Sequence, residues 1–294
     1  MIPLKRVMET RGRLLFSVRS FLVSRGYVEV ETPVRIAAPA LELNINAEKS
    51  GDMFLRTSPE LHMKRMLCAG LEKIFQLGPC FRSGERGKLH NPEYTMLEWY
   101  RTGVGYMEIL EETRELVIAV ARETTGSSLM GKIDLAGEWQ VMTIRDMFMR
   151  HAGWDPVEHY DADRFDLDLV GKIEPALKIN SAVVLKDYPA EAAALSLCSR
   201  RDFGMIAERW ELYLGGMEIA NAFSELTDPL EQRKRFEECA RDRREKGREV
   251  YPVDEDFMKA MEKGMPVAGG VALGIDRLLM FLVGASSIDE VRML

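Results

Sequence analysis

Apolar positions recur at helical spacing near the start of the chain. Leu4, Val7, Met8, Leu14, Leu15, Val18, Phe21 and Leu22 form one stripe, which predicts a helix over 4–25 that Gly26 ends in the left-handed conformation. A strand from Tyr27 to Thr32 follows and stops at Pro33. Residues 57–70 predict a second helix, with Ser58 as its N-cap and Pro59 at its first position. The period then changes to two. Phe75, Leu77 and Phe81 share one face of a strand, and Leu97 and Trp99 one face of the next, with a charged ten-residue loop between them. Strict alternation puts Arg82, Tyr94, Glu98 and Tyr100 on the other face. Met107, Ile109, Leu110, Val117, Ile118 and Ala121 predict a helix over 106–124.

Residues 125–205 carry short helix and strand patterns, among them Val183-Val184-Leu185, which reads as a strand ending before Tyr188-Pro189. Gly215-Gly216 suits a two-residue hairpin turn, placing Leu214 opposite Met217 and Glu211 diagonal to Glu218 on the same face. Asp228-Pro229 opens a charged helix over 228–248, which is either a solvated, ion-paired face or a docking patch, and in both cases lies outside the chemistry. A Gly-rich strand closes the chain and runs into an apolar helix over 269–284.

Composition narrows the class. With 294 residues and no repeat, low-complexity tract or long linker, the chain reads as a single domain spanning 1–294. No apolar run approaches the ~20 residues of a membrane span and no signal peptide is visible, so a cytoplasmic protein that avoids membranes is expected. The four cysteines lack metal-ligand spacing and read as reduced packing residues. A net charge of -7 argues against a broad nucleic-acid footprint. A guanidinium, a carboxylate and two aromatic rings on one sheet face suit a charged, partly planar ligand. The loop residues Arg86, Lys88, His90 and Asn91 can fold over phosphates.

The run Phe81-Arg82 followed by His90-Asn91-Pro92-Glu93-Tyr94-Thr95-Met96-Leu97-Glu98 resembles motif 2 of class II aminoacyl-tRNA synthetases, in the lysine branch. Segment 4–33 resembles motif 1, 75–101 resembles motif 2, and 269–284 resembles motif 3. The resemblance implies an α+β fold, the class II catalytic domain, with an antiparallel sheet flanked by helices and no anticodon-binding domain. It implies ATP and magnesium as cofactors and a homodimer built on motif 1. Arg82 would bridge the ATP α-phosphate and the amino-acid carboxylate, Tyr94 would stack on adenine, and Arg277 would grip the γ-phosphate. Glu85, His90 and Asn91 join the ATP set. The family has Arg-x-Glu where this chain has Arg82-Ser83-Gly84-Glu85, so Glu85 would act from a shifted loop or be replaced by backbone groups.

Residues 209–228 resemble the lysine-specific stretch. Glu211 and Glu218 would hold magnesium carried in with ATP, since two close carboxylates need a cation and oxygen ligands suit a hard one. Two exposed carboxylates on a wet sheet face are the other reading. Glu60 would bind the substrate amino group, although a carboxylate in a first helical turn is also favoured by the helix dipole alone. Glu225 and Tyr100 would take the side-chain ammonium, with Glu98, Asn221 and Phe223 completing the pocket. Simple pleating puts Asn221, Phe223 and Glu225 opposite Glu218, so a bulge or sharp bend near Ala220–Ala222 is expected. Gly269, Gly270 and Gly274 would let the backbone approach the ligand, and Asp276 can cap the last helix. Ala222 and Ala272 stand where glycines are usual. The Ala272 methyl is found in the elongation factor P lysine ligases, shortened relatives that activate (R)-β-lysine, and would shift selectivity by only ~1–3 kcal/mol.

The resemblance therefore implies ATP-dependent activation of β-lysine and its transfer to a lysine of elongation factor P, with tRNA binding weak or absent. The alternatives are a truncated synthetase that charges tRNA with α-lysine, and a catalytically silent regulatory paralogue.

Overall fold

The computed structural model describes residues 2–292. Helix α1 (Leu4–Ser24) follows the predicted stripe, and Gly26 takes φ +81° just beyond it. Strand β1 is shorter than expected, Val28–Glu29 alone. Beyond it the Val30 N–H still donates to Phe75 O at 2.8 Å, but the Thr32 N–H turns to the Gln76 side chain, also at 2.8 Å, so the ladder ends. Helix α2 (Glu60–Cys68) begins one residue after the expected start, and Ser58 Oγ accepts the Glu60 N–H at 3.0 Å.

Strands β2 (Lys73–Phe81) and β3 (Glu93–Thr102) form the predicted hairpin, and α3 (Tyr106–Thr125) follows. The middle of the chain contributes β4 (Gln140–Thr143), α4 (Ile144–His151), β5 (Ala182–Pro189) and the short β6 (Cys198–Arg201). The last third supplies β7 (Gly204–Leu214), β8 (Met217–Ser224), α5 (Pro229–Glu245), α6 (Glu255–Gly264), β9 (Ala268–Gly274) and α7 (Ile275–Val283).

The main sheet runs β1-β2-β3-β9-β8-β7-β5-β4, with β6 pairing β7. Its centre is antiparallel, while β1 and β4 join in parallel at the two edges. Helices α1, α3 and α7 cover one face. Val7, Leu14, Val18, Ile109, Val117, Leu278 and Leu279 pack there against Phe75, Leu97, Trp99, Trp210, Leu212 and Val271. Trp99 and Trp210 are fully buried, and truncating either to Ala costs about 3–5 kcal/mol. The opposite face is covered at one end by a cluster around α2 and α6, and at the other by one around α4 and Phe165. Between these clusters the sheet stays open. The site lies there.

Two bulges decide which side chains reach that gap. Strand β5 continues through Tyr188-Pro189, past its expected end, with an irregularity at Asp187, a non-glycine residue at φ 59°. The extra residue reverses the alternation and turns Tyr188 to the site face. In β8 the register slips between Leu212↔Ala220 and Tyr213↔Glu218, leaving Ile219 as the extra residue. The bulge thus precedes the expected Ala220–Ala222 position, and Ala220 and Ala222 stay in the regular ladder. It brings Glu218 onto the face of Asn221, Phe223 and Glu225.

Candidate active site

The pleat of β3, β9 and β8 builds the inner part of the site. Ala272 is paired with Glu98 on one side and Asn221 on the other, and Gly270 with Tyr100 and Phe223. These residues, with Ser58, Glu60 and Glu225, line a narrow compartment of about 60 Å³. A Cβ on Gly270 would lie 2.3 Å from both Glu225 Oε1 and the Tyr100 ring, so only glycine fits. The room left by the missing side chain is taken by Glu225 and Tyr100. Gly269 faces α3, where a Cβ would meet Ile109 at 2.6 Å, so it does not border the site, whereas Gly270 lines the inner compartment.

Four carboxylates define the inner electrostatics. Lys64 is 1% exposed, and its Nζ lies 2.5 Å from Glu60 Oε1 and 2.5 Å from Glu225 Oε2. Burial disfavours its charge, but Glu225 and Glu60 outweigh this and raise its pKa. Glu225 Oε1 is buried without a hydrogen-bond partner among the described residues. Burial pushes Glu225 up to about 7, with Lys64 opposing. The Tyr100 hydroxyl donates to Glu98 Oε1 at 2.5 Å and Ser58 Oγ to Glu98 Oε2 at 2.8 Å, yet burial and the nearby Glu60 push Glu98 up to about 8. Glu42 enters from a loop and is pushed up to about 7 by burial. So many acidic groups around one ammonium make a pocket suited to further cations.

The outer compartment, of about 340 Å³, is lined by Arg82, Glu85, His90, Asn91, Tyr94, Arg209, Glu211, Glu218 and Arg277 among others. That volume lies within the ~300–1,000 Å³ range of small-molecule sites. Arg277 is held by three partners: Leu89 O at 3.3 Å, the Glu218 carboxylate at 3.1 Å and His90 Nε2 at 2.8 Å. Burial and Arg277 lower the His90 pKa, so the neutral ring accepts through Nε2. Burial works against ionised Glu218, but Arg277, Arg209 and Arg82 prevail and hold its pKa low. The Arg82 guanidinium lies 5.2 Å from the Tyr94 ring centroid and 3.7 Å from Glu85. Its buried Nε has no hydrogen-bond partner among the described residues. A turn in which the Glu85 N–H meets Arg82 O at 3.4 Å returns Glu85 to the pocket despite the shifted spacing.

Glu211 is more committed than an exposed carboxylate. Tyr188 and Tyr213 donate to its Oε2 at 2.6 Å each, and Arg209 to its Oε1 at 2.5 Å. Asp276 is not a cap; it accepts from Arg11 at 2.6 Å, the Thr95 N–H at 2.7 Å and Arg292 at 3.0 Å, tying α7 to α1 and β3.

Except for Arg86, Lys88 and Gly269, the site residues named from the sequence line these two compartments. Three residues bearing on it were missed. Lys64 had a signal, being four residues after Glu60 on the same helical face. Arg209 shares a strand face with Glu211. Glu42 had none, because it sits in an irregular loop. Helix α5 also differs from expectation, since Arg243 is fully buried and binds the loop that carries Glu42.

Residues 3–294 match the model of the family described as tRNA synthetases class II (D, K and N). The chain is similar to the lysine–tRNA ligase of Moorella thermoacetica, with 35% identity over 98% of this chain and 64% of that protein. It is 33% identical to the elongation factor P–(R)-beta-lysine ligase of Hamiltonella defensa, over 98% of this chain and 94% of the relative. The ligase of the same name from Proteus mirabilis is 34% identical over 96% and 92%. The chain thus spans about two thirds of the lysine–tRNA ligase and nearly all of the elongation factor P ligases. On this match over residues 3–294, the chain belongs to the class II tRNA synthetases (D, K and N), a family of ligases.

Proposed function

We propose that the protein activates a lysine-type diamino acid, (R)-β-lysine by preference, with ATP, and transfers it to a lysine ε-amine of elongation factor P. The observation that carries this is the position of Arg82. It lies in the wall shared by the anionic inner compartment and the arginine-rich outer one, with a buried Nε that has no hydrogen-bond partner among the described residues. A guanidinium there suits a carboxylate arriving from one side and a phosphate from the other.

In the first step a carboxylate oxygen of the amino acid attacks the ATP α-phosphorus, and the bond to the leaving pyrophosphate breaks. Arg82 neutralises the attacking carboxylate and the α-phosphate, while Arg277 holds the departing phosphates. Tyr94 offers a ring to the adenine. Glu225 and Glu98 take the terminal ammonium, and Glu60 the inner one. In the second step the acceptor amine attacks the acyl carbon, AMP leaves, and an amide forms. The match to two elongation factor P ligases over more than nine tenths of their length supports that acceptor. Lysine–tRNA ligases match with similar identity, so tRNA acylation is the second reading.

Magnesium fits the outer compartment as a companion of ATP. No group of three or more His, Cys, Asp or Glu side chains forms a metal cluster among the described residues, so phosphate oxygens would complete the shell. Glu218 and Glu211 would hold the ion, each with lone pairs left after the bonds given above. When bound it neutralises phosphate charge. A homodimer through α1 and β1 is part of the proposal, supported by exposed Phe16, Val23 and Val28 on that edge. No helix among the described residues is long and apolar enough to cross a membrane.

Amino-acid-dependent ATP–pyrophosphate exchange tests the first step. Exchange with β-lysine that is abolished by Arg82→Ala or Arg277→Ala is expected. Exchange at the normal rate in either variant would remove the site assignment.

A further inference from the structure

We propose that Glu42 is a specificity-determining residue that, together with Glu60, receives the inner ammonium of the substrate, the one nearer its carboxylate. This rests on the diamino-acid reading above. Among the described residues, five line both compartments: Glu42, Arg82, Met96, Asn221 and Ala272. Glu42 is the only carboxylate among them. A substrate whose carboxylate meets Arg82 and whose terminal ammonium meets Glu225 must carry its inner amine one or two carbons from Arg82, at this junction.

The other inner carboxylates, Glu60 included, divide their charge between substrate and partners inside the protein. Glu60 and Glu225 share Lys64, and Glu98 accepts from Tyr100 and Ser58. The Glu42 carboxylate takes part in no hydrogen bond or ion pair given by the geometry of the described residues. Its raised pKa agrees with a carboxylate that lacks a cation, since burial outweighs the attraction of Arg82 and Arg209.

Its backbone, by contrast, is fixed. The fully buried Arg243 donates to Glu42 O at 2.6 Å, Ile45 O at 2.8 Å, Asn46 Oδ1 at 3.0 Å and, from the other edge of the fork, Glu249 O at 2.7 Å. Arg243 also lies 4.7 Å from the Tyr251 ring centroid, and the Tyr251 hydroxyl accepts the Ala47 N–H at 2.7 Å. Asn46 O in turn accepts the Ser83 N–H at 2.7 Å, joining this loop to the one that carries Arg82. A loop with no regular structure at 41–48 is thereby held to a side chain's precision, and the free carboxylate it presents faces the junction. Arg243 is a positioning residue; Glu42 touches the ligand.

The test compares ligands that differ by one amine. ATP–pyrophosphate exchange is measured for wild type, Glu42→Gln and Glu42→Asp with (R)-β-lysine, α-lysine and 6-aminohexanoic acid, which keeps the carboxylate and the terminal amine only. Where 6-aminohexanoic acid is not turned over, its inhibition constant is used. Glu42→Gln is expected to lower kcat/KM for the diamino acids about 10- to 100-fold, the loss expected of a charge-assisted contact. Its effect on 6-aminohexanoic acid should stay within about threefold, and Glu42→Asp should fall between. Equal losses for all three ligands, or no loss, would overturn the inference while leaving the parent reading intact. A wild-type protein with no exchange on either diamino acid would overturn both.

Discussion

Glu225→Gln separates a carboxylate that binds substrate from one that serves only an internal ion pair. The substitution keeps the shape and removes one charge from the buried Glu60–Lys64–Glu225 group. Lys64 retains Glu60 at 2.5 Å, so its ammonium is not left bare. The stability loss should therefore fall below the ~3–5 kcal/mol of a fully broken buried pair, at about 1–3 kcal/mol. Substrate should lose more. An ammonium about 4 Å from a unit charge gains roughly 4 kcal/mol at an effective dielectric near 20, less the cost of desolvation. A net of about 2–4 kcal/mol corresponds to roughly 30- to 700-fold in kcat/KM. The assay is pyrophosphate exchange with β-lysine, alongside thermal unfolding of the same preparations. A variant that loses stability but keeps kcat/KM within about threefold would show that Lys64 is the only ammonium Glu225 serves.

Three further outcomes follow from the geometry. Burial holds Glu225 and Glu42 up to about 7 and Glu98 up to about 8, so near pH 7 these groups carry protons that a bound ammonium would displace. Substrate binding should release protons and tighten as pH rises toward 8, seen as a binding enthalpy that changes with buffer ionisation heat; identical enthalpies in two buffers would contradict this. Arg243→Ala strips the donors from four loop oxygens and removes a fully buried guanidinium, and should cost about 3 kcal/mol or more in denaturant unfolding, whereas a loss under about 1 kcal/mol would show that the loop holds itself. Phe16, 71% exposed on α1, should lie in the dimer contact, so light scattering should give twice the 33.4 kDa chain mass for wild type and a monomer for Phe16→Asp. A monomeric wild type would remove the dimer from the account.

The elements with strong periodicity were legible because their faces are chemically unequal. Helix α1, the β2–β3 hairpin and α3 carry stripes that any buried arrangement must respect, and the structure places them close to the expected bounds. The need for a bulge in β8 was legible too, since Glu218 and Glu225 could not otherwise share a face. Its position at Ile219 was not, because a register slip depends on the partner strand. Tyr188 was hidden for the same reason, its orientation reversed by a left-handed Asp187. Glu42 and Arg243 are 201 residues apart, and no local pattern announces which arginine is buried on a helix of interleaved charges. The resemblance named residues that line the pocket. It did not name Lys64, the cation already inside it.

The central claim concerns the acceptor. The most direct measurement incubates the purified protein with ATP, magnesium and (R)-β-lysine, offers unmodified elongation factor P and lysine tRNA together, and records intact protein mass beside acylated tRNA. The account predicts a gain of one lysyl unit on the factor while the tRNA stays uncharged. Charged tRNA with an unmodified factor would contradict it.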